Sequence, residues 1–459
     1  MITFQDFEKI AGKEKAVSDV ISDWKSRKIY QNAILADTYD RQENAAIMAY
    51  SKMIRTISGR ETVDVTTSNN KICSNFFKRL NTQRNTYLLG NGVTFEKANV
   101  KKQLGNAFDT ILKNCGYFAL IHGVSFLYYT KNGCHIFKAT EFAPVFDEET
   151  GDLMAGVRFW KIDDDHPTFA VLYEKDGFTR FKAEKGSETF SETDKKREYI
   201  QKVQYSNAYG EEVIGGENYT ALPIVPVWGS RLHQSTLVGM QHDIDCFDMV
   251  KSGFANDLTD CAQIYWLLDN YGGMDDEDLA RWLERLKLNH IAVTDSQDGG
   301  HVTPYTQEIP TQARTALLAE LRSGIYENFG ALDVHIIAAG STNDHIDAAY
   351  QPMDEEADEF EFQIIEAIQK LIRAVGIEED TPIFKRNRIS NQKEQVEMLT
   401  AESAWLDEET IIKKLPNVTV DEVDGIMKRK EQEDADRLAG MQAMMNASND
   451  GSQNTQNAI

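Results

Sequence analysis

The residues able to do chemistry are scattered along this chain. His166, His233, His242, His290, His301, His335 and His345 fall at no metal-ligand spacing. His242 and Asp245 lie one helical turn apart, yet no second pair joins them, and a solvated helix face is the stronger reading. Asp163-Asp164-Asp165-His166 has the composition of a metal site; beside Pro167, between strands, it reads as a turn. Asp354-Glu355-Glu356 and Asp358-Glu359 stack carboxylates early in an expected helix, where the positive end of the dipole favours them, so a structural role outweighs metal binding. Gly90-Asn91-Gly92 lacks the Gly-Lys-Ser/Thr that completes a phosphate-binding loop, and no Gly-x-Ser-x-Gly elbow occurs. Cys73, Cys115, Cys134, Cys246 and Cys261 form no Cys-x-x-Cys pair. That argues against a zinc ribbon or a disulfide framework and for reduced thiols, mostly small core residues. The expectation is therefore a protein that is not an enzyme and needs no cofactor and no metal.

Composition narrows the class further. At 459 residues the chain exceeds one compact core, and a prior of about 150 residues per domain suggests roughly three packing units. No apolar run reaches the roughly 18 residues of a membrane span. The start, MITFQDFEKIAGKEKAVSD, is charged and has no apolar core of a secretory signal. With 49 basic against 73 acidic residues the net charge is −24. Such a chain is poorly suited to clamp nucleic acid, since affinity comes from neutralising phosphates. It is compatible with a surface past which DNA slides without sticking.

Periodicity supplies the elements that would position these residues. Residues 1–60 read as helical, with a partial stripe of Ala45, Ala46, Met48, Ala49, Met53, Ile54 and Ile57. Helices follow at 72–89 (apolar face Ile72, Phe76, Phe77, Leu80, Tyr87) and at 104–122. The period then switches. Val124–Thr130 and Cys134–Ala139 flank Lys131-Asn132-Gly133, a hairpin signal. Leu153–Ile162, Thr168–Tyr173, Phe178–Ala183 and Arg197–Tyr205 continue the meander, making the first half α+β. A helical pattern from Ser235 to Asn270 would be about 50 Å long. A small α/β insert follows: helix 275–287, strand 290–295, a turn at Asp298-Gly299-Gly300 and strand Val302–Thr306. Pro310 opens a helix over 311–329. After the loop Ala331–Asp344 comes another long helix, which Pro352 should start or kink. Residues 381–390 read as a strand, 392–405, 408–415 and 420–437 as helices, and 440–459 as a disordered tail.

Several of these segments, in this order, resemble the portal proteins of tailed phages, of the type found in siphophages of Gram-positive hosts. The stretch SNNKICSNFFKRLNTQRNTYLLGNGVTFE (68–96) is similar to the family's signature segment. Asn114-Cys115-Gly116-Tyr117 through Val124–Tyr129 resembles its "GxAYxxxY" passage. Val250 to Asp260 is similar to its "SDxANDLED" helix and keeps Ala255-Asn256-Asp257-Leu258. Ile309-Pro310-Thr311-Gln312-Ala313 resembles "IPxxA", and Phe384–Asn387 and Glu409–Pro416 resemble a late strand and the "ETxxxxLP" segment. The matches run from about 65 to 430. They lapse at Thr342–Asp347, where only Asn343 corresponds to the family's Asn-Ala-Ser-Gly-like run, which leaves the loop boundary open.

The resemblance implies a portal fold assembled as a ring of about twelve copies. It implies a wing over 1–234, a stem helix over 235–268, a clip over 269–310 and a second stem helix over 311–330. A tunnel loop would span 331–348, a channel-side helix and return to the wing 349–400, and a helical crown 401–439. DNA in the channel would meet Ala338, Gly340, Ser341, Thr342, Asn343 and Asp344 of the loop. Clip docking would use Asp275, Asp276, Glu277, Trp282, Asp298 and Gly299. Implied partners are further copies of the chain, the terminase large subunit, the major capsid and scaffolding proteins, and the head-completion adaptor. Double-stranded DNA would be a transient partner and no membrane is involved; the place is the capsid vertex of the virion, after assembly in the host cytoplasm. Rival readings are another virion component, such as a head–tail adaptor, and a nuclease-type enzyme. Long paired helices around a small insert need neighbours for their second faces, which agrees with a ring.

Overall fold

The computed structural model describes residues 1–55, 59–65, 67–163, 165–187, 189–206, 210–260, 265–269, 301–305, 309–333, 343–388, 399–401, 407–415 and 425–433, with isolated positions in 275–284 and 418–439. The chain divides into two units: residues 1–332 with 352–387, and residues 333–351 with 388–459.

The first unit begins with α1 (Phe4–Lys9), α2 (Lys13–Ser26), α3 (Lys28–Asp40) and α4 (Ala45–Ala49). In α2, Val17, Val20, Ile21 and Trp24 recur at helical spacing and are buried; the Trp24 indole donates to the Ala139 carbonyl at 2.8 Å. The stripe expected over 45–57 belongs to two elements. Within it α4 buries Ile47, while Met53 and Ile54 lie on an exposed hairpin of β1 (Met53–Arg55) with β2 (Glu61–Val63).

Next come α5 (Phe76–Leu89), β3 (Val93–Thr94), α6 (Ala98–Leu104) and α7 (Phe108–His122). The helix expected over 72–89 starts at Phe76, because residues 68–74 run along another helix, described below. The helix expected over 104–122 is interrupted at Gly105, whose φ of +103° ends α6.

β4 (Val124–Thr130) and β5 (Gly133–Lys138) form the expected hairpin. β6 (Phe142–Phe146), β7 (Leu153–Lys161), β8 (Thr168–Glu174), β9 (Gly177–Ala183) and β10 (Phe190–Arg197) make an antiparallel sheet in the order β10-β9-β8-β7-β6. β11 (Ile200–Ser206) pairs with β12 (Gly210–Glu217), and β13 (Ile224–Trp228) adds to β4. The single strand expected over Arg197–Tyr205 is thus the end of β10 and the start of β11. The edge strand β6 escaped the pattern because Pro144 interrupts it.

α8 (Leu237–Asp260) does not run on to the expected Asn270. Tyr265–Asp269 is instead a strand, β14, paired antiparallel with β15 (His301–Tyr305). Four consecutive apolar residues, Tyr265 to Leu268, fit a helical count and a strand equally well. The expected strand over 290–295 lies outside the described residues. α9 (Thr311–Phe329) matches its expectation and ends on Gly330 at φ +64°, a left-handed cap. α8 and α9 are antiparallel: Arg314 pairs with Asp257 at one end, and the Asn328 amide donates to Asp243 at 3.0 Å at the other.

α10 (Asn343–Val375) begins earlier than expected and carries Pro352 in its interior. The first unit takes this helix from Pro352 onward, so the division of the chain falls at the residue that removes a helical N–H. Its apolar residues Phe360, Ile364, Ile368, Leu371 and Ile372 pack with α6, α7 and β13 in one core. Among the described residues, β16 (Ile383–Phe384) is the part of the strand expected over 381–390 that forms; it pairs with β3. In the second unit, α11 (Glu408–Lys414) is capped by Asp407, which accepts from the Thr410 N–H at 3.1 Å. Among the described residues no helix is long and apolar enough to cross a membrane.

Candidate functional site

The segment 68–92 organises the first unit in two ways, both built on polar side chains. The first is a ladder. Residues 68–74 lie extended along α8, and every second N–H donates to a side chain on that helix. Ser68 donates to Asp260 Oδ1 at 3.0 Å, Asn70 to Asn256 Oδ1 at 2.6 Å, Ile72 to Ser252 Oγ at 3.0 Å and Ser74 to Asp248 Oδ1 at 2.9 Å. The periods match: four helical residues advance about 6 Å and two extended residues about 6.7 Å. Asp248, Ser252 and Asn256 are buried, and the ladder satisfies donors that a non-helical, non-sheet segment would otherwise lose. Burial raises the Asp248 pKa above the ordinary carboxylate range, against hydrogen bonds from Asn44 and Ser74. The Ala-Asn-Asp-Leu run singled out in the sequence acquires separate roles. Asn256 is a rung, Asp257 pairs with Arg314, and Leu258 is exposed.

The second is a clamp, made by α5 on the end of α9 and the returning α10. The Arg84 guanidinium, only 8% exposed, donates to the carbonyl of Phe329, lies 4.1 Å from that ring's centre and pairs with Glu356 at 3.0 Å. Gln83 donates to the Leu332 carbonyl at 2.9 Å. Loss of water lowers the Arg84 pKa, while Glu356 and Glu359 act in the opposite direction. The cation sits on the carbonyl end of a helix, where positive charge is favoured. Further along, the Tyr87 hydroxyl donates to Asp354, and Arg386 pairs with Asp358 and Glu361. The Arg231 N–H donates to Glu359 at 2.8 Å. The carboxylates of 354–361 are thus structural, as expected, but for a different reason. They lie inside α10, not at its start, and answer cations and donors rather than a dipole.

Two glycines make the close approaches possible. A Cβ on Gly116 of α7 would stand 2.7 Å from Leu89 and 2.9 Å from Asn85 of α5. Gly92, at φ +72°, brings the chain against Asp109, which accepts from the Val93 N–H at 3.2 Å.

The clamp therefore fixes the point where the chain leaves α9 toward the segment 333–342. Of the expected loop residues, Ala338, Gly340, Ser341 and Thr342 lie outside the described residues, whereas Asn343 and Asp344 are the first residues of α10. The loop that the resemblance carried to 348 gives way to helix at 343, within the stretch where the match to the family's run lapses. In the insert, Asp275 and Glu277 are exposed, and the Asp275 carboxylate accepts from the Asp278 N–H at 2.9 Å. Asp276, Trp282, Asp298 and Gly299 lie outside the described residues. Asp163 accepts from the N–H groups of Asp165 and His166 at 2.9 Å each, which makes it the turn expected. His242 and Asp245 part company: Asp245 accepts from the Tyr39 hydroxyl at 2.6 Å. Among the described residues no cluster of His, Cys, Asp and Glu could hold a metal ion. Gln83 and Arg84 were not anticipated. The available signal was two long polar side chains in a helix otherwise read for its apolar face.

A family model described as "Phage portal protein, SPP1 Gp6-like" matches residues 27–437. The portal protein of Clostridium phage phiCD119 is 27% identical over 214 residues, 45% of this chain and 48% of that protein. The portal protein of Bacillus phage SPP1 is 24% identical over 398 residues, 79% of this chain and 76% of that protein. The chain thus aligns with about half the length of the first relative. A chain of the structure titled "Neck of empty GTA particle computed with C6 symmetry" is similar with a TM-score of 0.42 and 9% identity, covering 73% of this chain and 88% of that one. That likeness is too low to carry an argument.

Proposed function

The chain belongs to the family of SPP1 Gp6-like phage portal proteins, and we propose that it builds the ring-shaped channel at one capsid vertex through which DNA is packaged and ejected. The ring has about twelve copies and closes by head-to-tail contacts, which need no self-complementary patch. The observation that carries this reading is the uneven burial of the α8–α9 pair. In α9 the buried residues are Ile325, Tyr326 and Phe329, all in its last five positions. Nearer the insert Leu317 is 42% exposed and, on α8, Leu258 is 52% exposed. Apolar helix surface of this kind asks for neighbours, and copies on either side supply them.

In this reading α8 and α9 are the stem and the segment between them is the clip, which docks the terminase motor and later the head–tail connector. Residues 331–348 are the tunnel loop and the beginning of the channel-side helix, and the C-terminal helices form the crown. The relatives from Clostridium and Bacillus phages favour a siphophage of a Gram-positive host. The chain does no bond-making chemistry; a separate ATPase moves the DNA. Between 331 and 348 stand Asp333, Asp344 and Asp347 and no Lys or Arg, so contact with DNA is by shape and weak polar contact, not phosphate clamping.

The test is Ser341→Lys with Asn343→Lys, read as packaged DNA per particle against ring yield. Added phosphate contacts in every subunit should stall translocation and leave ring yield unchanged. Normal packaging at low salt would remove these residues from the channel.

A further inference from the structure

The sheet β6–β10 presents two unlike faces. On one, Phe159 lies under the helical layer, 6.4 Å from the Tyr30 ring and beneath Lys25. The other face carries rows set by the register: Gly156, Tyr173 and Phe178; then Arg158, Val171 and Arg180; then Trp160, Phe169 and Lys182. The first row is roofed, with Tyr128 5.2 Å from Tyr173 and Tyr199 6.0 Å from Phe178. The other two rows, with Tyr128, Tyr173 and Phe178 at the roofed side, line a cavity of about 480 Å³. That volume is in the range of small binding pockets, which are aromatic-lined with a few placed polar groups.

Its charged lining is unusual for a chain of net charge −24, because three cations converge there against one carboxylate, Asp194. Arg158 is held between rings, 4.7 Å from Phe137 and 4.9 Å from Trp160. Its carboxylate contact is a long 3.6 Å to Glu141, and among the described residues its buried Nε has no hydrogen-bond partner. Arg180 sits two strands away in the same row, roughly 10 Å off. It shares Asp194, at 3.5 Å, with Arg197 at 3.3 Å. Trp160 and Phe169 stack 5.7 Å apart at the outer end, beside exposed Lys182. The guanidinium of Arg158 thus retains donor capacity beside a partly uncovered aromatic platform.

We propose that this cavity is a docking pocket for an acidic peptide segment of a partner protein. One aromatic side chain of the segment rests on Trp160 and Phe169, and flanking carboxylates reach Arg158, Arg180 and Lys182. Arginine and aromatic residues together are what interface hot spots are made of, and guanidinium groups take carboxylates bidentately. A phosphate polymer offers the same pairings with stacked bases, but the overall negative field of this chain opposes a long polyanion more than a short acidic segment.

The experiment uses the full-length protein and a fluorescein-labelled peptide Glu-Glu-Phe-Glu-Glu, followed by fluorescence polarisation. Saturable binding is expected, with none for Lys-Lys-Phe-Lys-Lys. Arg158→Gln should weaken binding about tenfold, the loss of one charge-assisted contact. Because Arg158 is packed between rings, Lys182→Glu serves as the variant at an exposed position and should weaken binding at least as much, by turning attraction into repulsion. Absence of saturable binding, equal binding by the lysine peptide, or unaltered binding by Lys182→Glu overturns the proposal. Tighter binding of an oligothymidylate than of the acidic peptide also overturns it and assigns the pocket to nucleic acid.

Discussion

At one end of the α8–α9 pair Ile325, Tyr326 and Phe329 are buried, and Arg84 holds the last carbonyl of α9. At the other, Leu258 and Leu317 are exposed, with the Arg314–Asp257 pair and Arg314 over the Phe254 ring at 5.7 Å standing between them. The C-terminal end of α9 is therefore specified by contacts within the chain; at the other end the ladder covers one face of α8, and Leu258 and Leu317 are left for contacts with something else. Substitutions at the two ends should fail in different ways, and that difference is open to measurement.

The largest effect is expected at the insert end. Leu258→Glu with Leu317→Glu should abolish ring assembly in light scattering while changing the unfolding free energy by no more than about 0.5 kcal/mol per site, as for other exposed positions. Intact rings would mean that these residues do not meet a neighbour. Next comes the clamped end. Arg84→Ala leaves the Phe329 carbonyl without its cation and Glu356 unpaired. A loss of about 2–3 kcal/mol in urea unfolding is expected, below that of a fully buried pair because Glu356 is half exposed. A loss under about 0.5 kcal/mol, the ordinary surface range, would reduce the clamp to a surface contact.

A smaller effect belongs to the ladder. Asn256→Ala removes the acceptor of the Asn70 N–H and should cost about 1 kcal/mol; hydrogen exchange at Asn70 should quicken more than at Phe77, within α5. Uniform exchange across both would deny the ladder its local role. The smallest is a pH effect at Asp248. Its folded pKa is raised, chiefly by burial, so the folded state holds the proton more readily than the unfolded state. Its contribution is then fully present below the unfolded pKa and lost as pH rises through the higher folded one. Asp248→Asn should lack that decline, so the stability of the variant relative to the parent should rise with pH just above the usual carboxylate range. A constant difference across that window would contradict the assignment.

What the sequence revealed depended on how local the signal was. α9 was legible to its ends because Pro310 opens it and Gly330 stops it, both backbone effects. The β4–β5 hairpin was legible through Asn132-Gly133. α8 was overrun because the apolar run after it keeps a helical count, and pairing with β15 decides for strand only in three dimensions. Of the two roles open to Pro352, starting the helix or kinking it, the first is overturned: it lies inside α10, since a proline rule marks a cost and not a boundary. The ladder and the clamp were out of reach. The partners of the ladder, and of Gln83 and Arg84 in the clamp, lie 174 to 272 residues apart in sequence, and nothing local says that Asp248 will meet Ser74 or that Gln83 will meet Leu332.

The central claim, that Leu258 and Leu317 at the insert end of the α8–α9 pair are covered by further copies in a closed ring, is tested most directly by the mass of the assembled particle. Native mass spectrometry of the purified 52.0 kDa chain should give one closed species near twelve copies, about 620 kDa. A stable monomer at micromolar concentration would contradict it.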